Sequence, residues 1–134
     1  QWLKSDKMKL GYALLYVDDV KKTMAFYTKA FGLKVGFLHE SGQYGEMVTG
    51  DTKLGFVHHE TAASHGFKYD KMSLSKKPPA CEIAFVTSNV DKAYTKAINA
   101  GAEAASEPEK KPWGQTVSYV RDCNGFLVEI CSEM

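Results

Sequence analysis

The sequence predicts an α+β fold of two βαβββ modules, on three observations. A strand-then-helix pattern occurs twice, each copy is followed by three short strand-like runs, and the two copies are joined by a polar linker. "YALLYVDDVKKT" (Tyr12 to Thr23) and "EIAFVTSNVDKA" (Glu82 to Ala93) are both apolar alternating runs that pass through Asp19-Val20 and Asn89-Val90 into helical periodicity. Asp19 and Asn89 suit N-caps, because their side chains accept from the orphan amides of a first turn. Val20, Met24, Tyr27 and Phe31 form one helical stripe, and Val90, Ala93, Ala97 and Ala100 the other. Gly32 and Gly101 then supply residues able to end each helix in the left-handed region. In the first half "LKVGFLHE", "QYGEMVTG" and "TKLGFVHHE" read as strands; in the second, "AEAAS", "GQTVSYVRD" and "FLVEICS" do. "TGDTK" and "DCNG" carry hairpin-turn residues. The reading is one domain, with a first module at about residues 8–61, a linker at 62–79 and a second module at about 80–133. A half of this size cannot bury both a sheet and a helix alone, so the two must pack together.

Composition narrows the function classes. The chain has 134 residues, 44% hydrophobic and 25% charged, with formal net charge +1. Lys76-Lys77 and Lys110-Lys111 are isolated pairs, so no nucleic-acid footprint is expected. No apolar stretch is long enough for a membrane span. "QWLKSDKMKL" lacks the apolar core of a signal peptide, and Met8 is a candidate start with residues 1–7 as an upstream extension. Cys81, Cys123 and Cys131 are odd in number and show no CxxC spacing; they read as reduced thiols of a cytoplasmic protein. No phosphate loop or nucleophile elbow occurs.

Alternation places candidate site residues. Ala13, Leu15 and Val17 share one strand face, and Tyr12, Leu14 and Tyr16 the other. The helix must cover the purely apolar set, and likewise Ile83/Phe85 and Phe126/Val128/Ile130. That leaves Glu82 and Glu129 together on the opposite face of the second sheet, as floor residues of a cavity. A strand glutamate taken singly is more often simply solvent-facing. Glu46 in "YGEMVTG" is read that way. His58 and His59, adjacent in a strand, face opposite ways, so at most one points inward; His39 and His65 read as loop residues. Trp113 in "PWG" is placed at the opening of a strand on the rim, where an indole stacks on a planar group or packs at the module junction. Tyr16, Phe56 and Tyr119 are further aromatic candidates, and Phe67, Tyr69 and Met72 of the linker could form a lid.

With "YVDDVKKTMAFYTKAFGLKV" near the start and "KPWGQTVSYVRDCNGFLVEI" near the end, the chain resembles the vicinal oxygen chelate superfamily, the glyoxalase/bleomycin-resistance/dioxygenase group. The resemblance covers nearly all of Met8 to Ser132. It implies two incomplete barrels and, in short members, a homodimer whose subunits complete each other's barrels. It also implies metal ligands at four corners, on the first and last strands of each module. Carried over, these fall at Tyr12, Glu82 and Glu129, with the remaining corner near Phe56 to His58. Tyr12 and Glu82 stand where histidines are usual, which departs from the metal pattern. Glu82, Glu129 and His58 are the candidate set for a divalent metal (Ni, Zn, Mn or Fe), although two carboxylates with one imidazole suit the softer of these poorly.

The leading expectation is a small-molecule binding protein of the bleomycin-resistance type, without cofactor, using Tyr12, Phe56, Glu82, Trp113 and Glu129. The alternatives are a metal-dependent lyase or isomerase of the glyoxalase I type and a ring-cleaving dioxygenase.

Overall fold

In the computed structural model, which describes residues 6–134, the repeat in sequence is a repeat in space. The first half runs β1 (Tyr12–Val17), α1 (Val20–Phe31), β2 (Val35–Leu38), β3 (Tyr44–Met47) and β4 (Lys53–His58). A short helix, α2 (His59–Ala63), follows. The second half runs β5 (Glu82–Val86), α3 (Val90–Asn99), β6 (Glu103–Lys110), β7 (Thr116–Arg121) and β8 (Leu127–Cys131). Each half forms a four-stranded mixed sheet, in the orders β1-β4-β3-β2 and β5-β8-β7-β6. The first and last strands of each half pair in parallel, and the other pairs are antiparallel.

The helix ends follow from local chemistry. Asp19 and Asn89 accept from the amides of Lys22 and Lys92 at 3.0 and 3.1 Å. Gly32, at φ 73°, closes α1 by donating to the Thr28 carbonyl. Gly101, at φ 106°, closes α3 one residue beyond its cap: its amide reaches the Ile98 carbonyl, while Ala102 N–H reaches the Ala97 carbonyl. That pair of bonds is the Schellman arrangement.

Alternation sorts the strands as expected. Leu15, Val17, Leu54, Phe56 and Met47 bury against Val20, Met24 and Tyr27 of α1. Val120, Val128 and Ile130 bury with Val90 and Ala97 of α3. Phe26, Phe31 and Phe85 pack against both clusters, so the helix sides of the two sheets share one core. The opposite faces of the sheets turn away from it. β6 runs longer than the "AEAAS" read from sequence. Pro108 argues against a strand, yet β6 is the outer edge strand, and its register shifts let a residue without an N–H sit there. The helix α2 was not anticipated either; the stretch read as strand and linker is capped by His58, whose Nδ1 accepts from the Glu60 amide at 3.0 Å.

The β7–β8 turn ties the halves together. Asp122 is buried. Its Oδ1 accepts from the amides of Asn124 and Phe126, at 2.8 and 2.9 Å, and its Oδ2 accepts from the Tyr27 hydroxyl of α1, at 2.6 Å. Asn124 Nδ2 donates to Thr23 Oγ1, also on α1, at 2.9 Å. The linker docks on the same turn. Gly125 sits at φ 94°, and a Cβ there would lie 2.6 Å from the Ser73 backbone. Gly125→Ala is therefore expected to cost about 2 kcal/mol, read as a lower urea midpoint, because a backbone clash adds to left-handed strain.

Among the described residues no helix is long and apolar enough to cross a membrane. Of the stretch read as an upstream extension, residues 1–5 lie outside the described residues. All three cysteines are free. Burial pushes the Cys123 thiol up to about 11.

Candidate functional site: a carboxyl pair on an open sheet face

The face of the second sheet turned away from α3 carries the chemistry. Glu82, Ala84 and Val86 project from β5, Leu127, Glu129 and Cys131 from β8, and Val117, Tyr119 and Arg121 from β7. In the register Glu82 lies beside Leu127, and Glu129 lies between Ala84 and Tyr119. Glu82 and Glu129 are therefore diagonal neighbours across two parallel strands. Hydrogen bonding to Glu129, then partial desolvation, then repulsion from the Glu129 charge raise Glu82 to about 7. The Tyr119 hydroxyl donates to Glu129 Oε1 at 3.3 Å. Burial and the two carboxylates raise the Tyr119 phenol. Burial, followed by hydrogen bonding to Glu129, pushes the Cys131 thiol up to about 11, so it stays protonated. The pair is thus an acidic group with a phenol donor beside it and apolar neighbours around it.

The open face of the first sheet is aromatic. Tyr12 is 55% exposed and Leu14 44%, with Tyr16 beyond them. Tyr44 donates to Glu46 Oε2 at 2.6 Å, and Lys53 lies 3.6 Å from the same carboxylate. Glu46 is thus a partly buried, hydrogen-bonded residue of this face. On β4 the positions facing this side are Gly55 and Val57. A Cβ on Gly55 would lie 2.8 Å from Leu14 Cδ2 and 3.1 Å from the Tyr44 hydroxyl.

The sequence-predicted residues do not all meet. Phe56 is 0% exposed and packs on Tyr27 with ring centroids 4.9 Å apart, so it is a core residue on the helix side of its sheet and not on the open face. The one-residue register of the strand could not be fixed from "KLGFVHH", where every candidate position is apolar or ambiguous. His58 is spent on capping α2 and lines a cleft with Asp18 and Lys68. The set Glu82, Glu129 and His58 does not gather, and no group of three His, Cys, Asp or Glu able to hold a metal occurs among the described residues. Trp113 lies in the β6–β7 turn instead of opening a strand. It is 61% exposed, and its indole N–H donates to Gln115 Oε1 at 2.8 Å.

One residue went unremarked in the sequence. Arg121 is only 7% exposed. Its guanidinium donates to the carbonyls of Gly125 (3.0 Å), Leu74 (3.3 Å) and Ser73 (3.2 Å). A lone arginine near the end of an alternating strand looks solvent-facing; only the linker's path over it reveals the burial.

The model of the Glyoxalase/Bleomycin resistance protein/Dioxygenase superfamily matches residues 9–130. The chain belongs to that superfamily. The uncharacterized protein YraH of Bacillus subtilis (strain 168) is 29% identical over 124 residues, 92% of this chain and 97% of its own length. A glyoxalase-related enzyme from Fulvimarina pelagi superposes with a TM-score of 0.82 at 17% identity, over 95% of this chain and 89% of its own. A superfamily enzyme from Burkholderia phytofirmans PsJN gives 0.75 at 21%, over 95% and 100%. At these identities the structures speak for the superfamily's fold alone. Within the matched span, Asp122 and Gly125 build the turn that locks the halves, and Glu129 enters the open face from β8 beyond it.

Proposed function

We propose that this chain is a small-molecule binding protein that works as a homodimer. The tyrosine face of one protomer and the carboxyl face of its partner form one cup, which holds a cationic, planar ligand without metal. The observation that carries this reading is the Glu82–Glu129 pair, diagonal neighbours on one open face flanked by apolar side chains, with Glu82 raised to about 7 by its partner. Two nearby carboxyls disfavour double ionisation, and a cation between them relieves that repulsion. The dimer is supported by the open apolar surface: Tyr12, Leu14, Phe37 and Val86 are each more than 40% exposed on sheets whose edge strands β1 and β5 are unpaired on one side.

The donor set fits the superfamily's metal poorly. The four corner positions supply two carboxyls, the Tyr12 phenol and, on β4, only Gly55 or Val57. None of these corner positions supplies an imidazole, and zinc and nickel favour nitrogen or sulfur. The glyoxalase-type alternative draws on a carboxyl held near 7, suited to acid–base work. A ring-cleaving dioxygenase would need two histidines that this site lacks.

The test uses ethidium, a permanently charged planar cation, with sedimentation run in parallel. The reading expects dimers in solution, fluorescence-detected binding, and at least tenfold weaker binding in Glu129→Gln. Stoichiometric Ni, Zn, Mn or Fe in purified protein would overturn the metal-free reading. Unchanged affinity in Glu129→Gln would remove that carboxylate from the site.

A further inference from the structure

The two open faces repeat in register but not in chemistry. Gly55 lies beside Leu14 of β1 and Glu46 of β3, as Glu129 lies beside Ala84 of β5 and Tyr119 of β7. Gly55 therefore holds in the first sheet the place that Glu129 holds in the second. Where the second sheet raises a carboxyl, the first leaves bare backbone, and its neighbours use the room. A Cβ at Gly55 would lie 3.1 Å from the Tyr44 hydroxyl and 2.8 Å from Leu14 Cδ2, so a side chain there would displace both.

The polar group that takes this place is a phenol, and it is held in position. Gly45 and Met47 of β3 face α1, so Tyr44 and Glu46 face the open side. The Tyr44 hydroxyl donates to Glu46 Oε2 at 2.6 Å, and Lys53 Nζ lies 3.6 Å from Glu46 Oε1. Both oxygens of Glu46 are thus engaged and its charge is countered. Glu82 and Glu129, by contrast, have no cationic partner among the described residues. Burial, then the hydrogen bond to Glu46, raise the Tyr44 phenol well above its ordinary value, so it stays protonated. Its one proton is committed to Glu46, and among the described residues no donor reaches its oxygen. Donation to a carboxylate also polarises a phenol, which strengthens its oxygen as an acceptor.

We infer that Tyr44 is a specificity-determining acceptor of the tyrosine face, oriented by Glu46, that selects planar cations bearing N–H groups over fully alkylated ones. The inference rests on the proposed cup for the presence of such a ligand. Any planar cation can stack on the exposed Tyr12 ring. Only one with an N–H at its edge also meets the Tyr44 oxygen. An edge of N-methyl groups covers that acceptor and leaves it unpaired, which costs affinity. Glu46 acts through Tyr44 and is a positioning residue.

The experiment compares ethidium, which carries aromatic amino groups, with methylene blue, a planar cation whose nitrogens bear no hydrogen. Tyr44→Phe should weaken ethidium about fivefold, the worth of one net hydrogen bond, and should not weaken methylene blue. Glu46→Leu should lose the same discrimination, because the phenol then has no fixed acceptor for its proton. Glu46→Gln, which keeps an oxygen acceptor, should restore it, a rescue that a merely structural role for Glu46 would not show in the ratio of the two dyes. Glu129→Gln, titrated alongside, keeps the two proposals apart. If it leaves both affinities unchanged while Tyr44→Phe still separates the dyes, the carboxylate reading fails and the Tyr44 assignment stands. Unchanged ethidium affinity in Tyr44→Phe, an equal loss for both dyes, or a parent chain that binds neither would overturn the assignment.

Discussion

Replacing Asp122 with alanine should be the most damaging single change on the surface of either sheet or in its turns, lowering stability by about 3 kcal/mol or more. Three donors lose their acceptor at once: the Tyr27 hydroxyl and the amides of Asn124 and Phe126. Tyr27 is fully buried, so its hydroxyl has no water to turn to. Burial raises the Asp122 carboxyl, and the hydrogen bonds from Tyr27, Asn124 and Phe126 oppose that rise. Asp122→Asn keeps one oxygen acceptor and should cost less; Tyr27→Phe, which removes only one donor, should also cost less. For a chain of this length the alanine variant should melt roughly 10 °C lower. A calorimetric loss under 1 kcal/mol would mean that the halves are joined by their shared aromatic core alone.

The second large effect is on binding and has a definite pH sign. Glu82 holds a proton up to about 7 through its hydrogen bond to Glu129. A cation that takes the fully ionised pair must displace that proton below pH 7. Ethidium affinity should therefore be flat above about pH 7.5 and fall by up to tenfold per unit below 7. The same raised carboxyl acts oppositely on folding. Its contribution to stability is fully present below the unfolded value near 4.5 and is lost as pH rises through 7. Acidification thus weakens the ligand while it favours the proton-sharing pair. In Glu82→Gln the slope of affinity against pH between 6 and 7 should disappear. Affinity that is independent of pH in the parent chain would show that the cation does not meet the pair.

The fold was legible because several local signals agreed. Asp19 and Asn89 cap, Gly32 and Gly101 terminate, and the alternation of Ala13/Leu15/Val17 and of Phe126/Val128/Ile130 sorts inside from outside without ambiguity. The same alternation put Glu82 and Glu129 on one face. It failed at β4, where Leu54, Gly55, Phe56 and Val57 are buried alike and nothing in the residue types distinguishes the two faces. Phe56 was named among the ligand-binding candidates for that reason, and it lies in the core. The nearest signal was Gly55, since a glycine in a strand often marks a close approach, here by Leu14 and Tyr44. His58 was misjudged because a cap needs the following helix, and "HHETAAS" is too short to announce one by periodicity. The burial of Arg121 depends on where an irregular segment crosses a sheet, and no periodic pattern encodes that.

The central claim is that Glu82 and Glu129 share a proton. Carbon-13 titration of the glutamate side-chain carboxyls tests it directly. The account predicts a Glu82 inflection near 7 in the parent chain, moving down toward the ordinary carboxylate range in Glu129→Gln. A Glu82 inflection already in the ordinary range, and unmoved by that substitution, would contradict it.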